Sequence, residues 1–282
     1  MGVWKVKKYC HSCVDRNPYL LSLVVKTSIY LIFILHMSYH QDLKTCYSQQ
    51  ARQFDHSRKR KRPEVEQLLQ DLQLIDNPTI VDLGCGSWRL FPIIQEYYKD
   101  KEFTYIWVDS AQGMINYAAE LYPHATRVCQ GMQEYIASVD QQSLNCIIAL
   151  ASVQHISWPK NHAVFFKNCY RALSYSGQAF FINRSRSERF LKKYKKETIK
   201  AIFKSLITSF ARNDLFIPRK DPQWRENNKV YWRMYHIFGL WEIITKCKLA
   251  FFEVEKSGYI MQSWELGNDW RKARNSYLVC RK

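Results

Sequence analysis

Thr79-Ile80-Val81-Asp82-Leu83-Gly84-Cys85-Gly86, followed by Val108-Asp109, decides how this chain is read. A short β-branched run ending in two glycines predicts a strand and a tight turn. Residues 90–98 then show helical spacing, and Tyr105-Ile106-Trp107-Val108 reads as a second strand ending at Asp109. Glycines after a first strand let backbone N–H groups approach a ligand. An acid at the end of the second strand is placed to accept two ribose hydroxyls. The unit therefore predicts a nucleoside site. A dinucleotide would require G-x-G-x-x-G with its pyrophosphate on the helix N-terminus, whereas Ser87-Trp88-Arg89-Leu90 follow Gly86.

Working outward, Val65, Leu68, Leu69, Leu72 and Leu74 predict an amphipathic helix over residues 64–74, with Pro63 in its first turn. Further helices are expected over residues 114–122 and 162–173, with strands over 146–150 and 179–182. Strands alternating with helices argue for a mostly parallel sheet covered on both faces. After Ile182 the pattern changes. Residues 184–210 are basic and helical in spacing, and residues 214–230 are polar with Pro218 and Pro222, so an insertion or lid is expected over about 184–235. The runs 250–254 and 276–280 read as strands separated by a turn-rich stretch containing Gly258 and Gly267, which predicts a closing antiparallel hairpin.

Of 282 residues, 47% are apolar and 24% charged, which excludes a disordered or fibrous chain and leaves one large domain or one domain with an appendage. Lys and Arg number 42 against 25 Asp and Glu, a net charge of +17. That excess predicts a polyanionic partner, either nucleic acid or an anionic membrane. Nine scattered cysteines, several inside apolar runs, fit a reducing, cytoplasmic setting. Cys10-His11-Ser12-Cys13 lacks the second ligand pair that a zinc site needs, so no metal is expected.

Residues 1–40 stand apart as an apolar N-terminal segment, and residues 19–37 are just long enough to cross a bilayer. Lys26 in the middle costs about 2.5 to 3.5 kcal/mol on insertion. Three readings stay open: a membrane span holding a cytoplasmic domain, a gene start placed too early with Met37 the true one, or a buried helix.

Val81-Asp82-Leu83-Gly84-Cys85-Gly86, Val108-Asp109 with Met114-Ile115, and Ala149-Leu150-Ala151-Ser152-Val153-Gln154-His155-Ile156 resemble the class I S-adenosylmethionine-dependent methyltransferases. The resemblance runs from Tyr47 to Arg281 and implies one domain over residues 41–282. The fold it implies is a Rossmann-like, seven-stranded, mostly parallel sheet with helices on both faces, a C-terminal antiparallel hairpin and a basic helical insertion after strand 5. It implies that Asp82, Gly84 and Gly86 border the methionine part of the cofactor, that Asp109 holds the ribose, and that Ala149 belongs to the same site. Adenine then falls to the backbone N–H of Gln133 and to packing from Met114 and Met132, unless these methionines simply fill the core. Trp88 stands where that family often has a third glycine, and Met132 where it often has an acid.

A narrower resemblance rests on Tyr47-Ser48-Gln49-Gln50-Ala51-Arg52-Gln53-Phe54-Asp55-His56-Ser57-Arg58, on Gln154-His155, and on Arg233-Met234-Tyr235-His236-Ile237-Phe238. These are similar to the tRNA wobble-uridine methyltransferases that esterify a carboxymethyl group. A carboxylate already carries the charge needed for in-line attack on a methyl donor, so no general base is compulsory. No catalytic residue is assigned. His155, Arg233, Tyr235 and His236 are the acceptor-pocket candidates, each with a packing alternative. Cys146, inside a strand, is unsuited to a thiolate mechanism. Basic runs suggest RNA contacts at Arg58, Lys59 and Arg60 and at Lys192, Lys193, Lys195 and Lys196, with Trp224, Tyr231, Trp232 and Tyr235 as stacking rings. The resemblance also implies a small activator subunit. The rival readings are a membrane-attached methyltransferase of a lipid or small acceptor, and a non-catalytic binding module.

Overall fold

The computed structural model describes residues 41–56, 63–70, 72, 76–86, 90–99, 101–207, 211–221, 228 and 230–282, with backbone only at 54–56 and 207. Residues 42–282 form one compact unit. The apolar segment 19–37, the Cys10/Cys13 pair, Trp88, Trp224 and the basic run 58–62 with Arg58, Lys59 and Arg60 lie outside the described residues.

Helical turns over residues 42–49 lead into α1 (Ala51–His56), α2 (Pro63–Leu69), β1 (Thr79–Leu83), α3 (Phe91–Tyr97), β2 (Thr104–Asp109) and α4 (Gln112–Leu121). Then follow β3 (Thr126–Cys129), α5 (Met132–Ser138), β4 (Leu144–Leu150), α6 (Pro159–Ala172) and β5 (Leu173–Arg184). The remainder comprises α7 (Glu188–Lys193), α8 (Lys195–Ile207), β6 (Asp214–Lys220), β7 (Val230–His236), α9 (Leu240–Leu249), β8 (Glu253–Met261), β9 (Leu266–Gly267) and β10 (Ala273–Arg281).

Strand order in the main sheet is β3-β2-β1-β4-β5-β10-β8-β9. Its left half is parallel, with Ile80 opposite Tyr105 on one side and Cys146 on the other. β10 runs antiparallel to both β5 and β8. Seven strands form the expected sheet, and the two-residue β9 adds an eighth at the edge. The order reverses between β1 and β4, and in such sheets the crevice at the carboxyl ends of those strands takes the ligand.

Alternation along each strand sends side chains to two cores. Val81, Ile147 and Phe181 meet Phe166 of α6 and Cys247 of α9 on one face. Ile80, Ile148 and Phe180 meet Leu69 of α2 and Ile94 of α3 on the other. Each such fully buried side chain contributes roughly 1.5 to 3 kcal/mol. Strands buried on both faces read as the continuous apolar runs seen in β1 and β4.

The insertion differs from expectation. Asp214–Lys220 and Val230–His236 pair as an antiparallel hairpin, with Leu215 opposite Tyr235 and Pro218 opposite Trp232. Pro218 hides the strand in the sequence, yet an edge position tolerates a residue that cannot donate to the ladder. At the C-terminal hairpin, Gly258 lies inside β8, opposite Tyr277, and not in a turn. The strand expected over 250–254 begins at Glu253, after Phe251 turns the chain with a positive φ of 73°.

Candidate active site

The carboxyl end of β1 closes on itself at two backbone contacts. Gly84 and Cys85 both donate to the carbonyl of Val108, at 2.7 and 3.1 Å. Gly84 adopts φ +73°, and a Cβ there would stand 2.4 Å from Cβ of Ser152. Only glycine fits that crossing. Ser152 in turn donates to the carbonyl of Leu83 at 2.6 Å, which ties the end of β4 to the end of β1.

At the end of β2, Asp109 Oδ2 accepts from the Gly86 N–H at 2.9 Å and Oδ1 from the Ala111 N–H at 2.8 Å. Burial raises its pKa, while the N–H groups of Ala111, Gly86 and Ser110 oppose that rise. A carboxylate has about four acceptor sites, so these contacts leave it capacity for a ligand hydroxyl. Asp82, 1% exposed, accepts from the Tyr105 hydroxyl at 3.1 Å.

These groups line one cavity, about 880 Å³ with its open mouth included. Asp82, Gly84, Gly86, Asp109 and Met132 form its floor and wall. Met114 does not reach it, packing instead against Ala51 and Ala111 in a core cluster. Ala149 is fully buried beneath the sheet, because the pleat turns it away from the crevice. Gln133 sits half-buried in the first turn of α5 and is not a wall residue.

The roof is made by parts distant in sequence. Residues 42–49 bring Leu43 and Tyr47 over the cavity, β7 brings Tyr235, and the turn after β4 brings Gln154 and His155. Gly113 permits this closure, since a Cβ there would overlap the Ser48 carbonyl at 2.2 Å. His155 Nδ1 lies 3.0 Å from the Met234 carbonyl. A carbonyl only accepts, so Nδ1 carries the proton and Nε2 presents its lone pair to the Tyr47 hydroxyl, 3.5 Å away. The His155 ring packs on Tyr235 with centroids 4.6 Å apart. Gln154 is pinned through its Oε1, which accepts from the Arg184 N–H at 2.8 Å. Tyr47, Gln154 and Ser152 were not assigned as site residues from sequence, although all three belong to stretches quoted there.

Behind the roof, Arg233 donates to the Tyr235 hydroxyl at 3.0 Å, and its Nε is buried without a partner. Burial works against its charge, but the phenols of Tyr235 and Tyr47 outweigh burial and hold the guanidinium protonated. His236 points the other way, as neighbours on a strand must. Its Nδ1 meets Asp214 at 2.6 Å and its Nε2 meets Glu242 at 2.9 Å, so it joins the hairpin to α9 and is no acceptor-pocket residue. Burial lowers the His236 pKa, yet the two carboxylates raise it overall. His162, 4.4 Å from it between ring centroids, is driven down to about 4 by burial and by that neighbouring imidazole.

Cys146 is buried, and burial raises its pKa, so it supplies no thiolate. Lys192, Lys193, Lys195 and Lys196 are exposed on α7 and α8. Tyr231 is 1% exposed and donates to Gln49, which leaves Trp232 as the exposed ring on β7. Among the described residues, no group of His, Cys, Asp and Glu is arranged to hold a metal, and no helix is long and apolar enough to cross a membrane.

A family model described as a methyltransferase domain matches residues 80–177. That match takes in β1 through α6 and the start of β5, the strands whose ends form the cavity floor. The protein named methyltransferase 235L of Invertebrate iridescent virus 6 is 38% identical over 56 residues, which span 20% of this chain and 20% of that protein. Among solved structures, an S-adenosylmethionine-dependent methyltransferase of Methanosarcina mazei matches with a TM-score of 0.56 and 14% identity over 74% of this chain and 94% of that one. A DhpI-SAM-HEP complex matches with a TM-score of 0.59 and 11% identity over 87% and 98%. A TehB-like enzyme of Corynebacterium glutamicum gives 0.52 and 15% over 85% and 97%. At such identities the likeness carries the fold. The fold is the one these S-adenosylmethionine-dependent methyltransferases share, and S-adenosylmethionine is the cofactor that likeness implies. The residues present fit it: the Gly84 crossing that a Cβ would fill, a buried Asp82 beside it, and Asp109 with free acceptor capacity.

Proposed function

We propose that this chain transfers a methyl group from S-adenosylmethionine to a carboxylate on a modified base in RNA, a carboxymethyl group on a tRNA wobble uridine. The observation that carries the reading is the half-buried Arg233, its Nε enclosed, behind Tyr47 and Tyr235 at the roof. Charge held there favours an anionic acceptor at the mouth of the cavity.

When bound, S-adenosylmethionine would supply a sulfonium methyl open to in-line attack by the acceptor carboxylate, a carbon–oxygen bond forming as the carbon–sulfur bond breaks and the neutral thioether S-adenosylhomocysteine leaves. Asp109 would take the ribose hydroxyls and Asp82 the amino group of the methionine part. Gly84 and Gly86 give the backbone room to approach. On the acceptor side, Arg233 acts through the phenols to orient the carboxylate. The Nε2 lone pair of His155, fixed by the Met234 carbonyl, accepts a hydrogen bond from the base or from Tyr47. No residue need remove a proton, because the acceptor is already ionised; the roof aligns it and keeps water out. The exposed Lys192 and Lys193 of α7 would grip phosphates.

The test is incubation with methyl-labelled S-adenosylmethionine and total tRNA, followed by nucleoside analysis and mild alkali. Label on a uridine derivative that alkali releases as methanol is expected. Stable label on a base nitrogen or on ribose would contradict the ester, and label on lipid alone would favour a lipid acceptor.

A further inference from the structure

Helix α8 carries its apolar side chains on the wrong side for a core. At 100° per residue, Ile199, Ile202, Phe203 and Leu206 share one arc of about 100°. All four are exposed, Phe203 by 65% and Leu206 by 75%. The opposite face bears Ala201, 4% exposed, and it is this side that packs on β6. Lys204 leans over the Phe216 ring of β6 at 4.0 Å and marks the same inner side. A helix that holds its place through a small residue while presenting Ile, Phe and Leu to water is not completing a hydrophobic core.

Charge surrounds that ridge. Residues 184–206 contain nine Lys and Arg against two Glu. Lys195, Lys196 and Lys200 are exposed beside the ridge, with Lys192 and Lys193 one turn before it. Ile199, Ile202 and Leu206 offer neither rings for base stacking nor donors for phosphate, and Phe203 is a single ring among them, so the ridge is apolar contact surface more than a base-stacking platform. A line of apolar side chains flanked by lysines has the form of an interfacial helix. Its apolar face enters the acyl boundary while the ammonium groups reach anionic headgroups.

We propose that α8 docks this enzyme on the surface of an anionic lipid bilayer. Lying in the interface plane, the helix inserts Phe203 and Leu206 deepest and pairs its lysines with lipid phosphates and carboxylates. The inference concerns where the enzyme is held and stands whether or not the acceptor is RNA.

The experiment uses the full chain with vesicles of phosphatidylserine and phosphatidylcholine, against vesicles of phosphatidylcholine alone. Hydrogen exchange read over residues 195–206 should slow on the anionic vesicles and much less on the neutral ones. The double variant Phe203→Ser and Leu206→Ser removes only exposed side chains, so its melting temperature should hold. Its vesicle affinity should fall at least about tenfold. Unchanged exchange over α8 while the chain sediments with vesicles would overturn the proposal, since another segment would then be the anchor. So would a double variant that binds like the parent. Protection of α8 by a protein fraction but not by vesicles would overturn it in favour of a protein partner.

Discussion

The floor and the roof of the cavity are built by different means. In the floor, backbone does most of the work: Gly84, Cys85, Gly86 and Ala111 donate N–H groups to Val108 and Asp109, all within one strand-turn-helix-strand unit. In the roof, side chains meet across long stretches of chain. Tyr47 reaches His155, Arg219 donates to Gln50 at 2.5 Å, and Tyr231 donates to Gln49. A floor set by strand ends suits a ligand common to a whole fold. A roof assembled by an insertion suits an acceptor that differs from one enzyme to the next. What steadies the roof is the ion-paired His236 between Asp214 and Glu242.

The largest effect is expected in the floor. Gly84→Ala combines a left-handed φ with overlap on Ser152, costing about 2 to 6 kcal/mol between strain and crowding. Methyl transfer should vanish and thermal unfolding should come earlier. His236→Ala strands the buried Asp214 and should cost about 3 to 5 kcal/mol by denaturant titration, with the hairpin the first region to lose exchange protection. The pH dependence of that tie has a defined sign. With its folded pKa raised above 6.5, His236 stabilises fully below that value, and its contribution is lost as pH rises through the folded value. Glu242 starts from 4.5: burial pushes it up, but His236 and Lys246 bring it lower overall. Its contribution holds above 4.5 and is lost as pH falls through the folded value. The parent's stability advantage over His236→Ala should therefore be complete between pH 4.5 and 6.5.

A smaller, more selective change separates roof from floor. Arg233→Met should lower kcat/KM for an anionic acceptor about tenfold to a hundredfold, the worth of one charge-assisted interaction, while donor affinity holds. Equal losses in donor affinity would merge the two regions into one. Least of all, Cys146→Ala should leave turnover unchanged and cost about 1 kcal/mol of stability for the buried sulfur.

The same division governs what was legible in the sequence. β1, β2, β4 and the glycine turn are local, with Thr79-Ile80-Val81 and Tyr105-Ile106-Trp107 announcing themselves by residue type. Gly84, Gly86 and Asp109, which line the cavity, could be picked out on that basis, while Asp82 and Met132 came only from the family resemblance. The four-residue β3 and helix α9 went unnoticed, as did the β6–β7 hairpin, where Pro218 and charged residues mask the alternation. Tyr235 and His236 looked alike in a run of aromatic residues. Only the pleat, fixed by pairing with Asp214–Lys220, shows that one faces the cavity and the other a carboxylate pair. Met114 was ambiguous for a related reason: α4 turns it toward Ala51, a residue no local pattern connects to it.

The most direct measurement is calorimetric titration of S-adenosylmethionine into the parent chain and into Asp109→Ala, with the fold of each checked by melting. The parent should bind one equivalent saturably, and the variant should lose at least about a hundredfold in affinity, the loss of two hydrogen bonds to a charged acceptor. No heat from the correctly folded parent, or equal binding by both chains, would contradict the assignment of this cavity.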